Sequence, residues 1–157
     1  MANELTTAGI SVMYAVEATI DVRPTAIADY TLLPSIKEIP ELNPEAEGLE
    51  VTDLSDTEWK RYTDGLKDPG SSLGFMANHT QAFQTAWETM VSAAETGEAA
   101  SKATWYAVII PGVTKTFFVA GKPVDLGLAQ AGVNGVLETT GYITPNQIAG
   151  WAAALTV

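Results

Sequence analysis

The chain has 157 residues, 46% of them hydrophobic and 17% charged, with 19 acids against 8 bases for a formal net charge of -11. That length suits one domain able to bury ~68–70% of the unfolded chain's surface, and the apolar content is too high for a disordered acidic tail. With no cysteine, a disulfide scaffold, a thiol nucleophile and Cys-ligated zinc or iron–sulfur sites are excluded, and the acidity argues against a sequence-reading DNA binder.

The start, Met1-Ala2-Asn3-Glu4, lacks the basic residues of a signal peptide. Ile10 to Val16 is rich in β-formers and reads as a strand, broken by Val22-Arg23-Pro24-Thr25. Tyr30 to Ile39 is a second extended stretch that Pro34 restricts to an edge or a bend. Pro40 to Gly48, with Glu41, Glu45 and Glu47, reads as an acidic surface loop, followed by a short strand with Leu49, Val51 and Leu54. Ser55-Asp56-Thr57-Glu58 fits a capping box and predicts a helical turn from Glu58 to Tyr62. Gly65 to Gly70 is a connector, and Ser71 to His79 a further strand.

The periodicity predicts one long helix from Thr80 to Thr96, with Phe83, Trp87, Met90, Val91 and Ala94 on one stripe. Thr80 or Asn78 caps its start, and Gly97 is the expected terminator. Thr104 to Ile110 and Val113 to Ala120 read as a hairpin. Gly121-Lys122-Pro123 is a turn, and Val124 to Leu137 a strand bent at Gly132 and Gly135. A short piece from Gly141 to Ile143 precedes Thr144-Pro145. Many strands and one amphipathic helix make a mainly β fold, an antiparallel sandwich or barrel with one flanking α-helix, in a single domain spanning 1–157 with flexible ends at 1–9 and 146–157. The longest uncharged run, Thr139 to Val157, contains Pro145, Asn146, Gln147 and Gly150, so no membrane partner is expected.

Candidate chemistry is sparse. His79 is the only histidine, which leaves neither a triad nor a His-rich metal site. Asp53, Asp56, Glu58 and Asp64 cluster as calcium ligands do, yet the position that an EF-hand loop reserves for glycine is Glu58. A pair of acids at glycosidase spacing is conceivable, but nothing selects two of the 19, and a solvated acidic surface uses the same residues. Gly127, Gly132 and Gly135 lack the helix and the Lys-Ser/Thr of a phosphate loop. Trp87, Trp105, Tyr106, Phe117 and Phe118 fall where a core is needed. Neither catalysis nor a cofactor is expected.

One segment carries a resemblance. Val51-Thr52-Asp53-Leu54-Ser55-Asp56, then Tyr62, Gly65-Leu66-Lys67-Asp68-Pro69-Gly70 and an extended Leu73-Gly74-Phe75, resemble the major tail (tail tube) proteins of long-tailed bacteriophages. The order of helix and strands downstream is similar too, and the likeness spans roughly residues 30–145. It implies a structural virion protein, assembled in the host cytoplasm, whose hexameric rings stack into a tail tube through which DNA passes on ejection. Its implied partners are copies of itself, the tape-measure protein, and tail terminator and distal tail proteins, with double-stranded DNA in transit only. The fold implied is similar to that of the tube protein of contractile secretion systems.

Physical reasoning agrees with this reading. DNA carries one negative charge per ~1.7 Å of axis, and an acidic wall lets it slide where a basic one would trap it. Edge strands paired by neighbouring subunits leave no exposed sheet edge. Asp125 and Glu138 are the residues expected to line the lumen, and Glu41, Glu45 and Glu47 those expected on a loop between rings. The alternatives are a monomeric β-sandwich module that binds carbohydrate or a receptor through an exposed aromatic patch, and an acidic hydrolase using two carboxylates.

Overall fold

Thr80 accepts a hydrogen bond from the Phe83 amide (3.1 Å) and so starts the helix at the residue that periodicity indicates. The computed structural model describes residues 5, 6, 8–43 and 45–157, and of Glu45 the backbone only. Residues 1–4 and 7, within the segment expected to be flexible, lie outside the described residues. The elements in chain order are β1 (Ser11–Val16), a 3-10 turn (Ile27–Asp29), β2 (Thr31–Leu32), β3 (Ile36–Glu38), β4 (Glu45–Glu50), β5 (Tyr62–Asp68), β6 (Leu73–Asn78), α1 (Gln81–Ala99), β7 (Thr104–Ile109), β8 (Lys115–Pro123) and β9 (Glu138–Ala153). The architecture is mainly β with one helix, as expected.

Seven strands form one antiparallel sheet in the order β2-β1-β7-β8-β9-β6-β3. Laid flat, such a sheet would hold its outer strands roughly 29 Å apart at about 4.8 Å per step. Yet the outer strands β2 and β3 are joined by only Leu33-Pro34-Ser35, a link that spans at most about 14 Å. The sheet therefore curls into a half-barrel. Ser35 turns the link with a φ of 65°, its carbonyl accepts from the Asn78 amide, and the Leu33 amide donates to the Val12 carbonyl.

Inside the curl, Val12, Tyr14, Leu73, Phe75, Tyr106, Val108, Val119 and Ile143 come from five strands into a single cluster. The α1 stripe of Phe83, Trp87, Met90 and Val91 fills that concave face. Trp87 is fully buried and donates from Nε1 to the Val124 carbonyl (2.8 Å). Gly141 makes room for it, since a Cβ there would lie 2.4 Å from the indole. On the convex side Ala15, Trp105, Ala107 and Phe118 are covered by Tyr30 and Leu155, with the Arg23 guanidinium 4.0 Å above the Phe118 ring. Buried Glu17 accepts from Trp105 Nε1 (2.8 Å) and from the Asp21 amide (2.9 Å), so its carboxylate is supplied with donors.

The structure corrects several expectations. Gly97 does not end the helix; it stays inside, where a Cβ would meet Val16 at 2.6 Å, and the chain leaves at Ala100. The predicted strand from Val124 to Leu137 is a loop without strand pairing. The predicted turn at Gly121-Lys122-Pro123 is instead the end of β8, paired with Ile143 to Pro145. In the end expected to be flexible from residue 146, β9 continues past Pro145 to Ala153 against β8, and Thr156 bridges to Ala26. The last part of the acidic loop (Glu45 to Gly48) and most of the connector (Gly65 to Asp68) belong instead to the two strands of a separate ribbon, β4–β5.

Candidate functional site

Among the described residues the β4–β5 ribbon pairs with itself and with no other strand. No residue from Gly48 to Gly70 is buried. It is an arm rooted at Leu42 and Asn43 on one side and at Pro69 and Gly70 on the other. Between its strands, residues 51–61 form a tip in which side chains replace regular backbone pairing.

Asp53 organises that tip. Its carboxylate accepts from the Ser55 amide (2.8 Å) and hydroxyl (2.5 Å), while its own amide donates to Asp56 Oδ2 (3.0 Å). Arg61 then spans both acids, from Nε to Asp56 (2.9 Å) and from Nη2 to Asp53 (3.2 Å). The Arg61 amide donates to the Thr52 hydroxyl (2.9 Å), and the Val51 amide to the Arg61 carbonyl (2.9 Å). The Ser55 hydroxyl, followed by its own amide, holds the Asp53 carboxyl below its ordinary value of 3.8. This network replaces the predicted capping box and its helical turn. Ser55 donates to an acid two residues upstream and accepts nothing from Glu58, which is an Asx turn. Asp53 and Asp56, two of the clustered acids, are thus engaged by Ser55 and Arg61 within the tip.

Polar groups thus fix the tip, and apolar ones decorate it. Leu54 is fully exposed, Trp59 is 80% exposed, and Tyr62 and Leu66 follow along β5. Trp59 escaped the sequence reading. A signal was present: Glu58-Trp59-Lys60-Arg61 offers no apolar residue two or four positions away with which the indole might share a buried face.

A second apolar surface lies at the mouth of the half-barrel, where β1 begins and β9 ends. Ile10, Ile39, Leu42, Ile110, Phe117 and Trp151 line a cleft of about 250 Å³. Trp151 stands edge-on to Phe117 with ring centroids 5.2 Å apart.

The residues singled out from sequence are dispersed. Asp125 is exposed, just after β8. Glu138 begins β9 and forms an ion pair with Lys37 on β3. The Val124 amide donates to the Tyr142 carbonyl, so the two acids flank opposite ends of the 124–137 loop. Glu41 is exposed and accepts from Asn43 (3.1 Å). Glu45 and Glu47 lie on β4, not in a loop, and the Glu45 side chain is outside the described atoms. His79 Nε2 is 3.0 Å from Gln84 Oε1 at the start of α1. Among the described residues no group of three His, Asp or Glu is placed to hold a metal ion, and no helix is long and apolar enough to cross a membrane.

No protein-family model matches the sequence, and no curated protein matches it. Among solved structures the chain is similar to a chain of the anti-feeding prophage (AFP) baseplate, determined by cryo-EM with six-fold symmetrisation. The TM-score is 0.59 at 12% identity, with 96% of this chain and 97% of that one covered. The two share a fold over essentially their whole lengths.

Proposed function

We propose that the chain is a structural subunit of a phage-like particle, which assembles with copies of itself into stacked six-fold rings around a channel, as the wall of a tail tube. The observation that carries this reading is the arm: a two-stranded ribbon that pairs with no strand of the main sheet among the described residues and ends in a tip, tied by its own side chains, that leaves Leu54 and Trp59 exposed. Exposed, pre-ordered apolar side chains are the mark of a docking surface. The whole-length likeness to a chain from a six-fold symmetrised phage-like baseplate supports it.

One detail of the edge-to-edge expectation changes. The borders of the main sheet are only two residues (β2) and three residues (β3) long, too short for extended pairing. The long unpaired strand edges belong to β4 and β5. Contacts between copies therefore run through the arm more than through the barrel. In this reading the acidic surface lets DNA pass without holding it, a tape-measure protein sets the number of rings, and the subunit performs no catalysis.

Electron microscopy of the concentrated protein tests the proposal. Rings or hollow filaments are expected. Discrete monomers under every condition of concentration and salt would remove the tube reading. They would favour a monomeric binding module instead, although the exposed aromatics are divided between the arm (Trp59 and Tyr62) and the two halves of β9 (Tyr142 and Trp151).

A further inference from the structure

We infer that the arm tip of one copy, led by Trp59 and Leu54, seats in the Phe117–Trp151 cleft of a second copy; this rests on the self-association proposed above and names the two surfaces that meet. Each half is already built. The tip is held by its own Asp53, Asp56, Ser55 and Arg61 network, so Trp59 is presented without further ordering of the backbone. The cleft, at about 250 Å³, exceeds the roughly 150 Å³ that accommodates a benzene ring, and its walls are aromatic and aliphatic.

The occupant comes from another copy because the arm cannot reach its own cleft. Leu42 and Asn43, where the arm is rooted, are themselves part of the cleft wall. From Asp68 to Tyr62 the strand then runs six steps away, or roughly 20 Å.

Charge at the two rims agrees. Within the tip, Arg61 bridges Asp53 and Asp56, one base to two acids, while Glu58 and Lys60 beside Trp59 have no ion pair among the described residues. At the cleft, Glu41 sits between the wall residues Pro40 and Leu42. Lys115 lies two residues before Phe117 on the same face, likewise with no ion pair among the described residues. Among the described residues without an ion pair, each rim offers one acid and one base, Glu58 and Lys60 at the tip and Glu41 and Lys115 at the cleft, so Lys60 can meet Glu41 and Glu58 can meet Lys115. Tip and cleft are different patches. The contact is therefore heterologous and repeats from copy to copy, closing as a ring or continuing as a filament according to its rotation.

The chain's lack of cysteine makes a clean test possible, because every disulfide then joins introduced thiols. Full-length Leu54→Cys chains are mixed with Asn43→Cys chains, Asn43 being an exposed residue of the cleft. The reference partner is Thr89→Cys, on the exposed side of α1. The mixed Leu54–Asn43 dimer should form at least about ten-fold more than the Leu54–Thr89 dimer, because docking raises the effective thiol concentration. Adding Trp59→Ala to the Leu54→Cys chain should return the yield to the reference level while leaving thermal unfolding unchanged. Equal yields at Asn43 and Thr89 would overturn the inference. If the same samples still show rings or filaments, self-association stands and only the tip-in-cleft contact falls; if they show monomers, both fall.

Discussion

Two tryptophans divide this molecule. Trp87, in the half-barrel, is fully buried, hydrogen-bonded through its indole N–H and fitted against Gly141. Trp59, on the arm, is 80% exposed and touches no core. The contrast extends to their surroundings. The barrel brings seven strands and a helix around one apolar cluster, whereas the arm has two strands and a tip fastened by carboxylates, a serine and an arginine. The barrel is stabilised by what it hides. The arm stays ordered by polar contacts and keeps its apolar groups free, an arrangement that costs solubility unless another surface receives them.

The largest expected effects lie in the barrel. Trp87→Ala should cost about 3–5 kcal/mol of unfolding free energy, read from urea denaturation, because it empties the concave core. Gly141→Val should lose stability for the converse reason, by pressing a branched side chain into the indole. Either variant retaining the stability of the native chain would mean that the helix does not fill the curl.

Next in size is the arm. Trp59→Ala should shift unfolding by no more than about 0.5 kcal/mol, as expected for a surface residue. It should nevertheless raise the concentration needed for assembly by roughly 30-fold, the effect of losing about 2 kcal/mol at an interface hot spot. Light scattering across a dilution series measures this. Equal loss of folding and of assembly would erase the distinction between the two regions.

A smaller effect concerns the tip network. The Asp53 carboxyl is depressed by Ser55, so its contribution is present above the ordinary value of 3.8 and is lost as pH falls through the lower folded value. The amide resonance of Ser55 should therefore hold its position down to pH 3.8 and shift below it. A shift well above that pH would contradict the assignment of Asp53 as the organiser. The smallest effect is expected at the Lys37–Glu138 pair. Both side chains are more than a third exposed, and Lys37→Met should change stability by less than about 1 kcal/mol. In assembled particles, Asp125→Lys combined with Glu138→Lys should slow DNA passage if these acids face the channel; normal passage would place them elsewhere.

How much of this was legible in the sequence depended on which interactions are local. The helix announced itself through a stripe of Phe83, Trp87, Met90, Val91 and Ala94 and a threonine cap, all readable within one segment. Strands β1, β7 and β8 were equally plain from their density of β-branched and aromatic residues. Proline and glycine misled where distant pairing overrode local preference. Pro145 reads as a strand end, yet it lies opposite Gly121 beside a register shift that lets β9 continue. The ribbon was hidden for a similar reason. Pro40 to Gly48 and Gly65 to Gly70 each look like loops alone, and Glu45 to Gly48 and Gly65 to Asp68 become strand only by pairing with each other.

Part of the candidate surface was therefore visible and part was not. The segment from Val51 to Gly70 drew attention by its motif order, and it turned out to be the arm. The acids expected to act lie on different elements, Asp125 after β8, Glu138 on β9, Glu41 before β4, and Glu45 and Glu47 on β4, and with 19 acids in the chain acidity alone does not rank one position above another. The residues that matter most to the proposal, Trp59 and the cleft pair Phe117 and Trp151, were either unremarked or assigned to the core.

The most direct measurement replaces residues 46–67 with a short glycine-rich turn and compares the product with the native chain by thermal unfolding and electron microscopy. The shortened chain is expected to unfold cooperatively at an unchanged temperature and to remain monomeric, while the native chain forms rings or hollow filaments. Assembly persisting without the arm, or a barrel that cannot fold without it, would contradict the division of labour on which the proposal rests.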